Sequence, residues 1–498
     1  MKRNSANTNN LPIYNELVDS LGILDYTTNN LPIYNELVVN KILIKAVINM
    51  KIPLSPPKKH LNQILTIPYM RTITQLPDII RPTTNKGEYL HWDKLRHLKT
   101  PHELSSEQWW FAIKLARKAL YKQLPFKDKY GNPFVLATPD SVLHKLHSID
   151  RSTGNTIQSP TSVLNTHMRD TYLVQSLIEE AITSSQLEGA STTRKVAKEM
   201  LRTKRKPRDL SEKMIYNNYQ AMLFVRDIKN EELTVDIILE LHRILTKDTL
   251  DDPNTAGYLR TSDDIHIWDD TDQILHTPPK AIELKERLIK LCKYANAKND
   301  QDNFFIHPVI KAILLHFMLA YDHPFIDGNG RTARALFYWS MAHQNYWLME
   351  FISISEVIKR ASSQYARAYL YTETDENDVT YFIIHQLDII LQAIKALYEY
   401  INKQSHEISE IERLLYANKA LKNKLNYRQI TLIKHALKHP NMQYKIESHR
   451  QSHNVTYDTA RTDLLNLVKL KLLLKQKMGK AFVFIAPRDL KKRIGDIE

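Results

Sequence analysis

His323-Pro-Phe-Ile-Asp-Gly-Asn-Gly-Arg-Thr-Ala-Arg334 places an imidazole, a carboxylate, two glycines and two guanidinium groups within twelve residues. The chain has ten glycines in 498 residues, yet Gly328 and Gly330 flank a single Asn329. Such a turn lets backbone N–H groups approach an anion, because glycine accepts positive φ and brings no Cβ into the way. The run Thr332-Ala-Arg-Ala-Leu-Phe-Tyr-Trp-Ser-Met-Ala342 contains no Pro or Gly and predicts a helix starting near Gly330. The N–H groups and positive dipole end of that helix would face the loop, a ready-made anion site. Upstream, residues 309–321 are apolar nearly all round and predict a buried helix. Helix, tight loop, helix is the local architecture, and its polar inventory suits phosphate.

The stretch resembles the signature of the Fic family: His-x-Phe, an acid, Gly-Asn-Gly-Arg, two residues, then Arg, with every fixed position present. The resemblance implies a mainly α fold, in which an all-helical Fic core carries a small β-hairpin flap. It also implies transfer of the AMP part of ATP onto a Ser, Thr or Tyr hydroxyl of a target protein, with release of pyrophosphate. The residue types support that chemistry on their own terms. A hydroxyl is a poor nucleophile at neutral pH, and an imidazole base contributes roughly 10²- to 10⁴-fold; His323 is the candidate. A triphosphate normally carries Mg²⁺, a hard cation that takes oxygen ligands, and Asp327 is the candidate ligand. Developing phosphate charge needs preorganised donors, here the Gly328 to Gly330 backbone, the Asn329 amide, and the Arg331 and Arg334 guanidinium groups. By resemblance, Arg331 serves the leaving phosphates and Arg334 the γ-phosphate. The motif says little about the nucleotide base, so UMP, GMP and phosphocholine transfer stay open.

A second motif, Leu177-Ile-Glu-Glu-Ala-Ile-Thr-Ser-Ser-Gln-Leu-Glu-Gly189, reads as a helix stopped by Gly189. Ser184 and Glu188 lie one turn apart on one face. This resembles the inhibitory helix of the family, in the version that precedes the Fic core. A Glu188 carboxylate paired with Arg334 would remove the partner of the γ-phosphate and put negative charge where the triphosphate sits. In some relatives the matching Glu instead activates water to remove AMP, and that reverse reaction stays open.

Between the motifs, residues 257–268 and 274–279 are two β-prone runs around a polar turn, which predicts a hairpin. By resemblance this is the flap, to whose edge an extended target segment adds as a strand.

The wider composition bounds the class. A chain of this length holds two to four domains. The one cysteine, Cys292, excludes a disulfide framework and a zinc set and reads as inert packing. No signal peptide and no membrane span are expected, which points to a cytoplasmic protein with no membrane partner, export by a signal-less route staying open.

Four regions are expected. Residues 1–95 read as a loosely ordered leader containing an 11-residue duplication, 8–18 repeated at 28–38. Residues 96–210 read as a helical N-terminal domain carrying the inhibitory helix, with a capping box at Ser105 to Gln108 and a Pro-punctuated connection over 122–160. Residues 211–400 are the catalytic core with the flap, with helices over 212–227, 234–246 and 281–295. Residues 401–498 hold 20 Lys plus Arg against 9 Asp plus Glu. Helices over 427–438, 446–451 and 457–470, a turn at Asn454 and two β-prone runs about Gly479 resemble a winged helix. Basic charge on such a module suggests DNA, whereas Asp458 and Asp463 place acid on the would-be reading helix. DNA contact, target docking and homodimerisation stay open as its uses. The rival to the enzyme reading is a DNA-binding transcription regulator whose Fic-like core senses nucleotide; against it, sensing does not require a base at His323.

Overall fold

The computed structural model describes residues 51–58, 79–102, 104–154, 166–269, 271–297, 305–417, 424–453, 455–478 and 481–496. The duplicated segments, most of the leader, Asn454 and Gly479 lie outside the described residues. The structure divides into two units; the main one comprises Ile52–Ile265 and Thr277–Glu498, and the hairpin segment His266–His276 falls in the other.

The main unit is helical, with two small antiparallel sheets. Helix α1, Ser106–Leu120, opens on a reciprocal capping box between Ser105 and Gln108. Over the described residues 122–154 the chain is not a polar connection. It holds a hairpin, β1 Lys122–Lys127 paired with β2 Pro133–Leu136, and then helix α2, Asp140–Gly154. Leu124, Phe126, Phe134 and Leu136 alternate inward and are buried. Pro125 and Pro133 conceal that period, while Asp128 closes the turn by accepting from the Tyr130 and Asn132 N–H groups. The leader also ends earlier than residue 95: Ile79, Trp92 and Leu95 pack in one cluster with Trp109, Trp110 and Ile113.

Helices α3 (Thr166–Leu187), α4 (Arg194–Thr203), α5 (Leu210–Asp227) and α6 (Val235–Thr246) follow, the last three N-capped by Thr193, Asp209 and Thr234. In the second unit, β3 (Ile267–Trp268) pairs with β4 (Ile274–His276), a hairpin whose turn is closed by the Asp269 carboxylate. Helices α7 (Leu284–Asn296), α8 (Pro308–Asp322) and α9 (Asn329–His343) come next. Helices α10 (Ile354–Arg360), α11 (Ser362–Thr374) and α12 (Thr380–Ala417) complete the core. Helices α8 and α9 form its centre; Ile313, Leu314, Phe317, Leu336 and Trp339 are buried there. Each such side chain contributes about 1.5–3 kcal/mol over an exposed position. Cys292 is buried in α7, where burial pushes its thiol up to about 12.

A polar cluster ties α1 to the α11–α12 junction. Arg117 is fully buried and donates to Tyr381 Oη, Pro82 O and Leu90 O, while Lys114 pairs with Asp375 at 2.8 Å. Helix α12 runs on to Ala417, so the boundary expected at residue 401 falls inside a continuous helix.

The C-terminal part has its own core of Leu432, Ile433, Leu464, Leu467, Phe484 and Leu490. Helices α13 (Tyr427–Lys438), α14 (Ile446–His453) and α15 (Tyr457–Lys469) pack with a three-stranded sheet. Its strands β5 (Gln443–Tyr444), β6 (Leu474–Met478) and β7 (Ala481–Ile485) lie in the order β5-β7-β6. Asp463 is not on the open face of α15 as the sequence suggested: it is buried, with Arg428 on both of its oxygens.

No helix among the described residues is long and apolar enough to cross a membrane.

Candidate active site

Helix α8 is apolar on nearly every face, so its end must be fixed by groups that reach it from outside. Asp322 is buried and paired with Arg287 at 2.7 Å, and Arg287 also donates to Lys127 O. His323 then caps the helix in the left-handed region, φ 44°, its N–H donating to Leu319 O. A non-glycine residue there stores roughly 1–3 kcal/mol of strain. Arg260, itself buried, holds the strained turn: its Nε donates to His323 O at 2.9 Å and its N–H to Pro324 O at 2.9 Å. Two further Arg260 nitrogens donate to Ser262 O and Pro279 O. His323 is thereby held in the loop and stays partly exposed.

Below the loop, His242 of α6 stacks on Phe325 with ring centroids 3.7 Å apart and planes within 3°. Its Nδ1 accepts from the Gly257 N–H at 2.9 Å, so Nε2 carries the proton and donates to Asp327 O at 2.9 Å. Burial pulls the pKa of His242 down to about 4, which keeps the ring neutral. Asn329 has a part in the loop's own structure. Its side chain is buried and closes the loop on itself, Oδ1 accepting from the Phe325 N–H and Nδ2 donating to Phe325 O. An asparagine four residues after the backbone it bridges closes the turn, a geometry the spacing alone did not reveal.

Gly328 is required by its backbone and by contact. At Gly328, φ +82°, a Cβ would lie 2.7 Å from Thr246 Cγ2. At Gly330 it would meet Glu188 Oε1, the far end of a side chain that can swing aside. Asp327 projects outward, its side chain 54% exposed, with one oxygen accepting from Arg331 Nη2 at 2.9 Å. Arg331 is buried and also donates to Leu245 O; its Nε has no hydrogen-bond partner among the described residues. In this state its guanidinium orients Asp327. Arg334 is buried too and meets α3: Nε donates to Ser184 Oγ at 2.9 Å, and Nη2 to Ser184 O at 3.0 Å and Glu188 Oε1 at 2.8 Å. Burial alone would lower the Arg334 guanidinium, and Glu188, Tyr365 and Glu180 together outweigh it, so the pKa stands above the ordinary arginine value. Gly189, φ +95°, ends the segment. His323 and Asp327 therefore sit on one loop, and Arg334 and Glu188 meet beside its Gly330.

Residues 232–341 match the family model described as Fic/DOC. This stretch is a Fic domain. Over 112 residues the chain is 37% identical to a protein adenylyltransferase Fic of Nematostella vectensis, covering 22% of each chain. Over 208 residues it is 28% identical to protein adenylyltransferase fic-1 of Caenorhabditis elegans, covering 41% of this chain and 38% of that protein. The chain thus spans between about a fifth and two fifths of the length of these curated relatives. A solved Fic family protein from Desulfovibrio desulfuricans superposes with a TM-score of 0.47 at 14% identity, over 72% of this chain and 98% of that one.

Several residues that shape the Fic site carry no motif of their own. His242 and Arg260 act from elements far upstream of the loop. Glu180 lies two turns before Glu188, buried, and accepts from Tyr338 Oη at 2.9 Å, Ser353 Oγ at 2.7 Å and the Ser355 hydroxyl at 2.5 Å. His316 is fully buried behind Arg334 and bonded to Tyr365 Oη at 2.9 Å; burial, then the Arg334 charge, depress it to about 3. A histidine or glutamate on an otherwise apolar face gives a sequence reader no means of telling a scaffold group from a satisfied core residue.

Proposed function

We propose that this chain is a protein adenylyltransferase held in check by its own Glu188. The observation that carries the reading is an anion already seated in the cradle: the Glu188 carboxylate lies against Arg334 and over Gly330, at the start of α9. A helix N-terminus with two close glycines and a buried guanidinium suits a phosphate equally well. With Glu188 withdrawn, Arg334 takes the γ-phosphate of ATP and the Gly328 to Gly330 backbone the phosphates nearer the transferred group. His323 removes the proton from a Ser, Thr or Tyr hydroxyl of a target protein. The hydroxyl oxygen bonds to the α-phosphorus, the bond from that phosphorus to the bridging oxygen breaks, and pyrophosphate leaves.

The residues fit a magnesium ion. Asp327 offers an exposed carboxylate, and no group of three or more acidic, His or Cys ligands occurs among the described residues. A single carboxylate suits a cation whose remaining ligands are substrate phosphates and water. Bound there, Mg²⁺ would neutralise phosphate charge. Arg331 holds the Asp327 carboxylate in register, and His242 fixes the backbone beneath it.

The test uses ATP labelled at the α- or the γ-phosphate, with wild type, His323→Ala and Glu188→Gly. Protein labelled from the α position alone, strongest in Glu188→Gly and absent in His323→Ala, supports the reading. Transfer of the γ label, or label that survives loss of His323, counts against it.

A further inference from the structure

The C-terminal module presents a cationic face that the adenylyl-transfer chemistry does not use. From Lys424 to Asp496 there are sixteen Lys and Arg against five Asp and Glu. The acids are largely compensated. Asp463 is buried, ligated by Arg428 with His449 Nε2 at 3.2 Å and Asn426 Nδ2 at 2.7 Å. Glu447 pairs with Arg450 and Asp489 with Arg493. Desolvation opposes ionisation of Asp463, and the hydrogen bonds from Arg428, Asn426 and His449 overcome it, holding the carboxyl below its ordinary range. The charge left exposed is therefore overwhelmingly positive.

Five of those cations, Arg461, Lys469, Lys471, Lys475 and Lys477, fall on two contiguous elements and the turn between them. Helix α15 buries Ala460, Asp463, Leu464 and Leu467, and its other side exposes Tyr457, Asp458, Arg461, Thr462 and Lys469. The chain then turns through Lys471, φ 58°, into β6, whose five residues Leu474–Met478 are all exposed, Lys475 and Lys477 among them. Arg461, Lys469, Lys471 and Lys477 enter no ion pair among the described residues. Apolar groups are interleaved: Leu474, Met478 and Phe482 are about half exposed, and Lys475 Nζ lies 3.9 Å over the Phe482 ring.

We propose that α15 and the β6–β7 ribbon bind duplex DNA. An α-helix fits the major groove of B-form DNA, about 12 Å wide, and Arg and Thr are side chains that read base edges there. A flanking ribbon of lysines takes the phosphates and positions the helix. The deep, narrow major groove of A-form RNA does not admit a helix, which favours DNA over double-stranded RNA. Asp458, at the first turn of α15, is the one exposed acid on the helix and bears on base preference rather than on backbone attraction.

The test is fluorescence anisotropy of the full chain with a labelled mixed-sequence DNA duplex over a range of potassium chloride concentrations. Binding should weaken steeply with salt. The pair Lys475→Glu and Lys477→Glu should lower affinity at least tenfold and reduce the log–log salt slope by about two, one per lost phosphate contact. Arg461→Ala should weaken binding and flatten discrimination between duplex sequences. All these positions are exposed, so unchanged circular dichroism melts confirm that folding is intact. Absent or salt-independent binding overturns the proposal, as does affinity unmoved by the charge reversals. Tighter binding of RNA overturns it as well. A dimer in sedimentation that the same reversals dissociate, without DNA binding, assigns the face to a second copy of the chain instead.

Discussion

Replacing Glu188 by Gly removes the anion that occupies the cradle, and the geometry sets the size of the effect. Charges 2.8 Å apart attract by about 6 kcal/mol at an effective dielectric constant of 20. Part of that is offset by the desolvation of both groups, and hydrogen bonds between charged partners contribute a net of about 1.5–3 kcal/mol. In the proposed reaction ATP displaces this contact, since Glu188 Oε1 stands over Gly330 where phosphate oxygens would lie. Removing the contact should raise the rate of AMP incorporation at subsaturating ATP roughly 10- to 150-fold. The assay is initial-rate incorporation of α-labelled ATP, measured against ATP concentration. Glu188→Gln should be activated less than Glu188→Gly, because the amide keeps the bulk and loses only the charge. Rates within twofold of wild type for both variants would refute the reasoning: Glu188 would then be an ordinary helix-end residue.

Three further outcomes follow from named contacts. Glu180→Gln should lower stability by about 1–3 kcal/mol in urea denaturation, because three hydroxyls lose a charged acceptor, and should raise AMP incorporation by less than Glu188→Gly does; no change in either would remove Glu180 as an anchor of α3. His242 is held near 4 instead of its usual 6.5, so the native state binds fewer protons than the unfolded chain; the stability this supplies is complete above pH 6.5 and lost as pH falls towards 4. The stability difference between wild type and His242→Gln should shrink by about 3 kcal/mol across that window, and a pH-independent difference would contradict the assignment. Arg117→Met should cost roughly 3–5 kcal/mol by thermal denaturation, since it takes the donor from Tyr381 Oη and from two carbonyls in a buried site; a loss under 1 kcal/mol would make the cluster dispensable.

What the sequence made legible was local. The His323 to Arg334 spacing states a helix end, a turn and a helix start in one reading, because each depends on residues within a few positions. The approach of Glu188 to Arg334 was legible only through the pairing of two such local motifs. Contacts set by tertiary packing were not. Nothing near His323 announces that Arg260 will hold its carbonyl, or that His242 will stack beneath Phe325. Asn329 reads as a phosphate donor because amides are donors, and only the closed turn shows that its amide also bridges to Phe325. The β1–β2 hairpin was concealed by Pro125 and Pro133, residues that usually argue against a strand. Asp463 looked like surface acid until α13 and α14 brought Arg428 and His449 onto it.

In the proposed reaction a nucleotide's phosphates enter the loop beside His323 and the α-phosphoryl unit leaves on a hydroxyl. Intact mass spectrometry of Glu188→Gly after incubation with ATP and Mg²⁺, with Glu188→Gly/His323→Ala alongside, tests it most directly, because self-modification would report the donor and the transferred group together. The account predicts a gain of one or more adenylyl masses that the second substitution abolishes. A gain that persists without His323, or a gain of phosphate mass in place of adenylyl, would contradict it.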